Sequence, residues 1–227
     1  KDPPPFKMVV GSCAYINDSV YDRPGEPYGH DYQIFENMHN QDPDLMLWLG
    51  DNIYLREPDW YTRTGFIHRY THTRSLPQLQ ALLASTHHYA IWDDHDFGPN
   101  NSDRSFIHKE LAQEMFENFW GNPTTGLANS GGITSQFLWN DVDVFLLDNR
   151  FNRSPNDCKT CVPTILGKKQ LDWLIEALVY SKASFKLVAM GGQLLNTHQQ
   201  FENYSFNYKA ERELILKRIE EENLKNI

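Results

Sequence analysis

Leu45-Met46-Leu47-Trp48-Leu49-Gly50-Asp51 is the stretch on which the fold turns. Asp42-Pro43 closes whatever precedes it, and Gly50-Asp51 stops the apolar run after five residues. A run that short, bounded by turn formers, reads as a buried strand. Upstream, Met8-Val9-Val10-Gly11-Ser12 reads as a second short strand, ending at Cys13. Between the two lie a polar loop with Pro24, Gly25, Pro27 and Gly29 and a segment from Asp31 to Asn40. The latter places Ile34, Phe35 and Met38 on one helical face. Strand, helix, strand in that order predicts a βαβ unit and a largely parallel sheet, hence an α/β fold.

Downstream, Trp60 to Tyr70 shows no decisive period. Pro77 to Ser85 reads as a short helix with proline at its start. Tyr89-Ala90-Ile91-Trp92 reads as another strand, followed by Asp93-Asp94-His95-Asp96 and a loop through Gly98-Pro99-Asn100-Asn101. A helix is expected from Phe106 to Trp120, with Leu111, Met115 and Phe119 along one face. Thr134 to Trp139 and Asp143 to Leu147 suggest a hairpin about Asn140-Asp141. A loop from Asn152 to Pro163, a helix from Gly167 to Ser181, a strand from Phe185 to Met190 and a charged helix from Lys209 to Leu224 follow. Neither a repeat nor a linker divides the chain, so residues 1–227 are expected to form a single domain.

The 227 residues suffice for a real core, and an aromatic content of 13% argues against disorder. The formal charge of −9 argues against a broad basic nucleic-acid groove. It also repels phosphate substrates unless cations invert the local field. No apolar run approaches transmembrane length, and Lys1-Asp2-Pro3-Pro4-Pro5 lacks an apolar signal core. Three cysteines are too few for a disulfide scaffold. Cys158-x-x-Cys161 is open to three readings, as a disulfide, a redox pair or half a zinc site.

One regularity points to chemistry. Four apolar strands each end in polar groups able to bind a cation: Gly-Ser-Cys13, Gly-Asp51-Asn-Ile-Tyr54, Asp93-Asp94-His95-Asp96 and Asp148-Asn-Arg150. In open α/β sheets, ligands collect beyond the carboxyl ends of the strands. Carboxylate, phenolate, thiolate and imidazole together make a mixed hard and soft donor set. Each residue alone has a plainer reading. An acid after a strand often caps a helix or a turn, a lone cysteine packs as a small hydrophobe, and Asp148 can pair with Arg150.

Gly11-Ser12-Cys13, Gly50-Asp51-Asn52-Ile53-Tyr54, Trp92-Asp93-Asp94-His95-Asp96 with Asn100-Asn101, and Leu147-Asp148-Asn149-Arg150 resemble the signatures of the alkaline phosphatase D (PhoD-like) family. That family belongs to the calcineurin-like metallophosphoesterases. Leu166-Gly167-x-x-Gln170-x-x-Trp173-Leu174 fits the same pattern. The resemblance implies a four-layer α/β/β/α sandwich. It implies hydrolysis of phosphate mono- or diesters by a metal-activated hydroxide, with ferric iron (Fe3+) and calcium (Ca2+), or other divalent metals, at the strand ends. Carried over residue by residue, Cys13 supplies a thiolate, Asp51 bridges two metals and Tyr54 gives a phenolate. Asn101, with Asn100 as the alternative, binds through its amide oxygen. His95 stabilises the transition state or protonates the leaving group; Asp94, where relatives carry asparagine, and Arg150 are expected to be catalytic with it. Asp148 and Arg150 form a further cation site or support the first. The implied substrate is a small phosphate ester.

The family's later Asp-x-His segment has no counterpart after Gln193, and His198 reads as a surface-loop histidine. The expectation is therefore that the C-terminal part of the family fold lies outside these residues; the alternatives are that a second chain completes the site or that the site is degenerate. The isolated chain is then expected to bind metal incompletely and turn over weakly. Relatives are commonly exported, which implies a periplasmic or secreted protein and a Cys158–Cys161 disulfide. Two rivals are kept: a metal-stabilised binding module of the same fold, and a glycoside hydrolase using Asp93 and Asp96 with Trp60 as a sugar platform.

Overall fold

The computed structural model describes residues 3–198 and 203–227; Lys1 and Asp2, at the start of the proline-rich terminus, lie outside them. The chain divides into two compact units. The first holds Pro4–Asn101 and His108–Asn122, the second Ser102–Ile107 and Pro123–Ile227.

The first unit is built on a parallel sheet of β1 (Met8–Gly11), β2 (Leu45–Leu49) and β3 (His87–Ile91), in the order β1-β2-β3. Val10 pairs with Leu47, and Leu47 with Tyr89. Leu45 through Trp48 are buried, which is why that run carries no alternation. Between β1 and β2 runs α1 (Gln33–His39), which buries Phe35. Between β2 and β3 lie α2 (Arg63–Arg74) and α3 (Pro77–Ser85). After β3 come a single turn, α4 (Asp94–Phe97), and then α5 (Lys109–Phe119). Trp92, Phe66, Tyr70, Phe97, Met115 and Phe116 are all essentially inaccessible to solvent. Each side chain of that size contributes on the order of 1.5–3 kcal/mol by leaving water.

The indecisive segment resolves into α2. Thr62 caps it, its hydroxyl accepting from the Gly65 N–H at 3.0 Å. Its buried face carries Arg69 and Thr73 beside Phe66 and Tyr70, so hydrophobic periodicity could not reveal it. Arg69 is held by Asp59 at 2.8 Å and Asp18 at 3.2 Å. The helix expected from Phe106 begins three residues later. A turn closed by Phe106 N–H to Asp103 O precedes it.

The second unit holds β4 (Ser135–Trp139), β5 (Val142–Leu146), α6 (Gly167–Tyr180), β6 (Phe185–Ala189), α7 (Tyr204–Asn207) and α8 (Lys209–Glu221). β4 and β5 form the expected antiparallel hairpin, and β5 pairs in parallel with β6. Asn140, at φ 51°, takes the left-handed conformation of the two-residue turn. Leu171, Leu174, Ile175 and Leu178 of α6 pack with Phe145, Leu147, Ile165, Tyr204, Tyr208 and Ile215. The buried Glu211 of α8 accepts from the Ile165 N–H at 2.6 Å and from the Thr164 hydroxyl. Cys158 and Cys161 form a disulfide in the loop before α6.

Candidate metal centre

β1, β2 and β3 run parallel, so their carboxyl ends lie at one edge of the sheet. The chain is tied there by its own backbone. Cys13 N–H donates to Gly50 O at 3.1 Å, and Ala14 N–H to Asp51 O at 2.8 Å. These bonds draw the residues after β1 onto the residues after β2.

Gly50 is forced by geometry. Its φ is 93°, and a Cβ there would lie 2.8 Å from Asp93 Cβ and 2.9 Å from Asp93 N. Only glycine permits both the backbone conformation and the close approach of the chain after β3. Cys13 (φ 61°), Asp51 (φ 52°) and Asn101 (φ 59°) all sit in the left-handed region as non-glycine residues. Backbone strain of this kind concentrates at functional sites.

The side chains converge on Asp51. Its Oδ2 accepts from the Tyr54 hydroxyl at 3.1 Å and lies 3.9 Å from Cys13 Sγ. Its Oδ1 accepts from the His95 N–H at 3.3 Å. Asp51, Asp94 and His95 each offer a ligating atom within 4.8 Å of the others. Asp94 also accepts from the Asn101 N–H at 2.6 Å, which ties the loop carrying that residue to the cluster. The Tyr54 ring lies against the His95 ring, centroids 4.5 Å apart and planes at 30°. Burial and the charges of Asp93 and Asp94 push the Asp51 carboxyl up to about 7. Burial and the Asp51 charge raise the Tyr54 hydroxyl far above the ordinary phenol value. Negative groups thus crowd together in a partly desolvated place, an arrangement that a cation relieves.

Asp93 and Asp96 do different work. Together they form a capping box at the start of α4. Asp96 is fully buried, and its carboxylate accepts from the N–H groups of Asn52 (3.0 Å), Ile53 (3.2 Å) and Asp93 (2.9 Å). It therefore joins the loop after β2 to the chain after β3. This placement removes Asp96 from the paired-acid glycosidase reading, since both of its oxygens are spent on main-chain amides. Trp60 is half-buried, with its indole N–H inaccessible, rather than an open sugar platform.

The fourth strand-end motif belongs to the second unit. There Asp148 is buried; its Oδ1 accepts from the Arg150 and Phe151 N–H groups and its Oδ2 from Ile133 N–H, all at 2.8–2.9 Å. Arg150 is likewise buried and donates to Ser102 O at 3.2 Å. His198 is exposed in a surface loop.

Sequence reasoning missed two neighbours of Tyr54 and the acid that holds them. Tyr15 packs on its ring, while Arg56 donates to its carbonyl oxygen and is itself held by Asp22. The only signal for them in the sequence is the proximity of Tyr15 to Cys13 and of Arg56 to Tyr54.

A family model described as PhoD-like phosphatase matches residues 8–227. Among solved structures, one described as "Structure of PhoD" superposes with a TM-score of 0.78 at 19% identity. That match covers 100% of this chain and 50% of the other, so the chain spans about half the length of that protein. A dimetal phosphatase from Danio rerio superposes at 0.58 with 15% identity, covering 95% of this chain and 78% of that one. At these identities the likeness shows a common fold. No curated protein matches in sequence.

Proposed function

The chain belongs to the PhoD-like phosphatase family, and from this we propose that it is the metal-binding part of a metal-dependent phosphoester hydrolase. The observation that carries the reading is the convergence of Cys13 Sγ and Tyr54 Oη on one oxygen of Asp51, with Asp94 and His95 in reach. Sulfur, carboxylate and phenol oxygen together suit a trivalent or borderline cation, and carboxylate with amide oxygen suits a hard divalent one. Cys13, Asp51 and Tyr54 would hold ferric iron, and Asp51 with Asn101 a divalent cation such as calcium. Asp94, whose carboxylate lies within 4.8 Å of ligating atoms of Asp51 and His95, would add a donor beyond those expected. When bound, such cations supply Lewis acidity toward water and the phosphoryl oxygens.

The chain's own residues do the rest. Asp51 gathers the donors, and Asp96 fixes the Asn52 and Ile53 amides so that Asp51 cannot drift. His95, held against the Tyr54 ring, is placed to stabilise charge on the phosphoryl group or to protonate the leaving oxygen. Asp148 and Arg150, bound into main-chain contacts of the other unit, are assigned to building the loop after β5. The substrate is a small phosphate monoester or diester. Export to an oxidising compartment is supported by the Cys158–Cys161 disulfide. No helix among the described residues is long and apolar enough to cross a membrane.

Chromogenic mono- and diesters, assayed with metals and then with chelator, test the reading. Chelator-sensitive turnover that Asp51→Asn removes supports it. Stoichiometric metal binding without turnover in a longer chain that spans the full length matched in PhoD would favour the binding module instead.

A further inference from the structure

The loop after β1 folds back over the loop after β2, and its contacts meet at Tyr54 and Arg56. The Tyr15 ring lies 4.8 Å from the Tyr54 ring, on which His95 also packs at 4.5 Å. The Arg56 guanidinium sits 4.5 Å from the Tyr15 centroid and donates to the carbonyl oxygen of Tyr54 and, at 3.1 Å, to that of Ile16. Asp22 locks both partners. It accepts from Arg56 Nη2 at 2.7 Å, from Arg56 Nε at 3.1 Å, from the Tyr15 hydroxyl at 2.7 Å and from the Asp18 N–H at 2.7 Å. Side-chain exposure is 5% for Asp22 and 11% for Arg56, so this bidentate pair is shielded from water.

We infer that Tyr15, Asp22 and Arg56 form a positioning clamp that fixes the ring and main chain of Tyr54, so that its oxygen is aimed at the metal position before any cation arrives. The inference rests on Tyr54 being a ligand and deepens that reading. The arrangement is economical: Arg56 holds the peptide, Tyr15 holds the ring, and Asp22 holds both. A phenol free to rotate about its side-chain torsions loses that freedom on binding a cation. The clamp removes the cost in advance. Groups that orient a metal ligand typically change affinity 10- to 100-fold when lost.

Ferric ion titrated into the purified protein provides the readout, since a ferric phenolate absorbs in the visible and reports bond geometry rather than stability. Tyr15→Ala is expected to weaken ferric affinity by about tenfold or more and to shift or diminish the band per bound iron. Tyr15→Phe, which keeps the ring and loses only the hydroxyl, is expected to fall between it and the parent. Arg56→Lys keeps the charge but not the fork, and is expected to resemble Tyr15→Ala. Melting without metal separates the roles. A lower melting temperature with an unchanged band and affinity means a merely structural contact and overturns the clamp. Should Tyr15→Ala fail to fold, Tyr15→Phe and Arg56→Lys decide by the same readout, and parental bands in both overturn it. A parent protein that shows no band, or one whose band survives Tyr54→Phe, overturns the ligand assignment itself and the clamp with it.

Discussion

Asp51 and Asp148 begin as the same sequence event, an acid at the end of a buried apolar strand, and end in opposite states. Around Asp148 the second unit supplies three main-chain N–H groups, and Gly132 leaves room for the carboxylate; a Cβ there would lie 2.3 Å from Oδ2. Around Asp51 the first unit supplies one main-chain N–H, one phenol and more negative charge. One carboxylate is consumed in making a turn. The other is left with its charge unanswered, on strained backbone, beside donors of several kinds. The contrast teaches that the motif alone does not set the state of the acid; the number of amides aimed at it does.

Exchanging either acid tests the contrast most severely. Asp51→Asn is expected to lower turnover by about a thousandfold or more, roughly 4 kcal/mol of transition-state stabilisation, and to remove bound metal. It should leave metal-free folding intact or improved, because a crowded like charge is gone. Asp148→Ala should do the reverse. It strands three N–H groups and costs about 3 kcal/mol of stability, read by denaturant unfolding. Equal effects on folding would break the comparison.

Gly50 sharpens it next. Gly50→Ala is expected to cost about 2–4 kcal/mol, since the backbone of Asp93 blocks the new Cβ and φ is unfavourable. Gly121→Ala, where nothing lies within 4 Å, is the control and should stay within about 0.5 kcal/mol.

Acid weakens the first unit through Asp22. Burial works to raise its carboxyl, but the Arg56 fork, the Asp18 N–H and the Tyr15 hydroxyl outweigh that and hold it at about 2, below the usual 3.8. A carboxyl depressed by folding stabilises above its unfolded value. About 2 kcal/mol is therefore present above pH 4 and lost as pH falls from about 4 toward 2. Unfolding measured across that window should show the loss in the parent and a flatter profile in Asp22→Asn.

Much of the scaffold was legible because the strands are nearly pure apolar runs and α6 repeats Leu171, Leu174, Ile175, Leu178 on one face. What escaped has common physics. The buried face of α2 includes Arg69 and Thr73, and only Asp18 and Asp59, distant in sequence, explain why Arg69 can lie there. β3 begins at His87 and His88, whose polar rings hide a strand start; His88 is accommodated by the Trp48 indole at 2.9 Å. In the site, the strand-end motifs are where Cys13, Asp51, Tyr54, Asp94 and His95 come together. Tyr15 and Asp22 give no such signal, because only the folding-back of a loop brings Tyr15 to Tyr54 and Asp22 to Arg56. Asp94, expected to be catalytic with His95, has its carboxylate within 4.8 Å of ligating atoms of Asp51 and His95.

The Cys158–Cys161 disulfide leaves Cys13 as the one free, exposed thiol. A thiol-selective alkylating reagent therefore labels a single atom of the molecule, and that atom lies 3.9 Å from the Asp51 carboxylate. If Cys13 ligates as proposed, the speed of alkylation becomes a gauge of occupancy, slowing as a cation claims the sulfur. The same arithmetic sets a hazard. In an oxidising medium without metal, two copies can join through this sulfur, so an unfilled centre would announce itself as a reducible dimer.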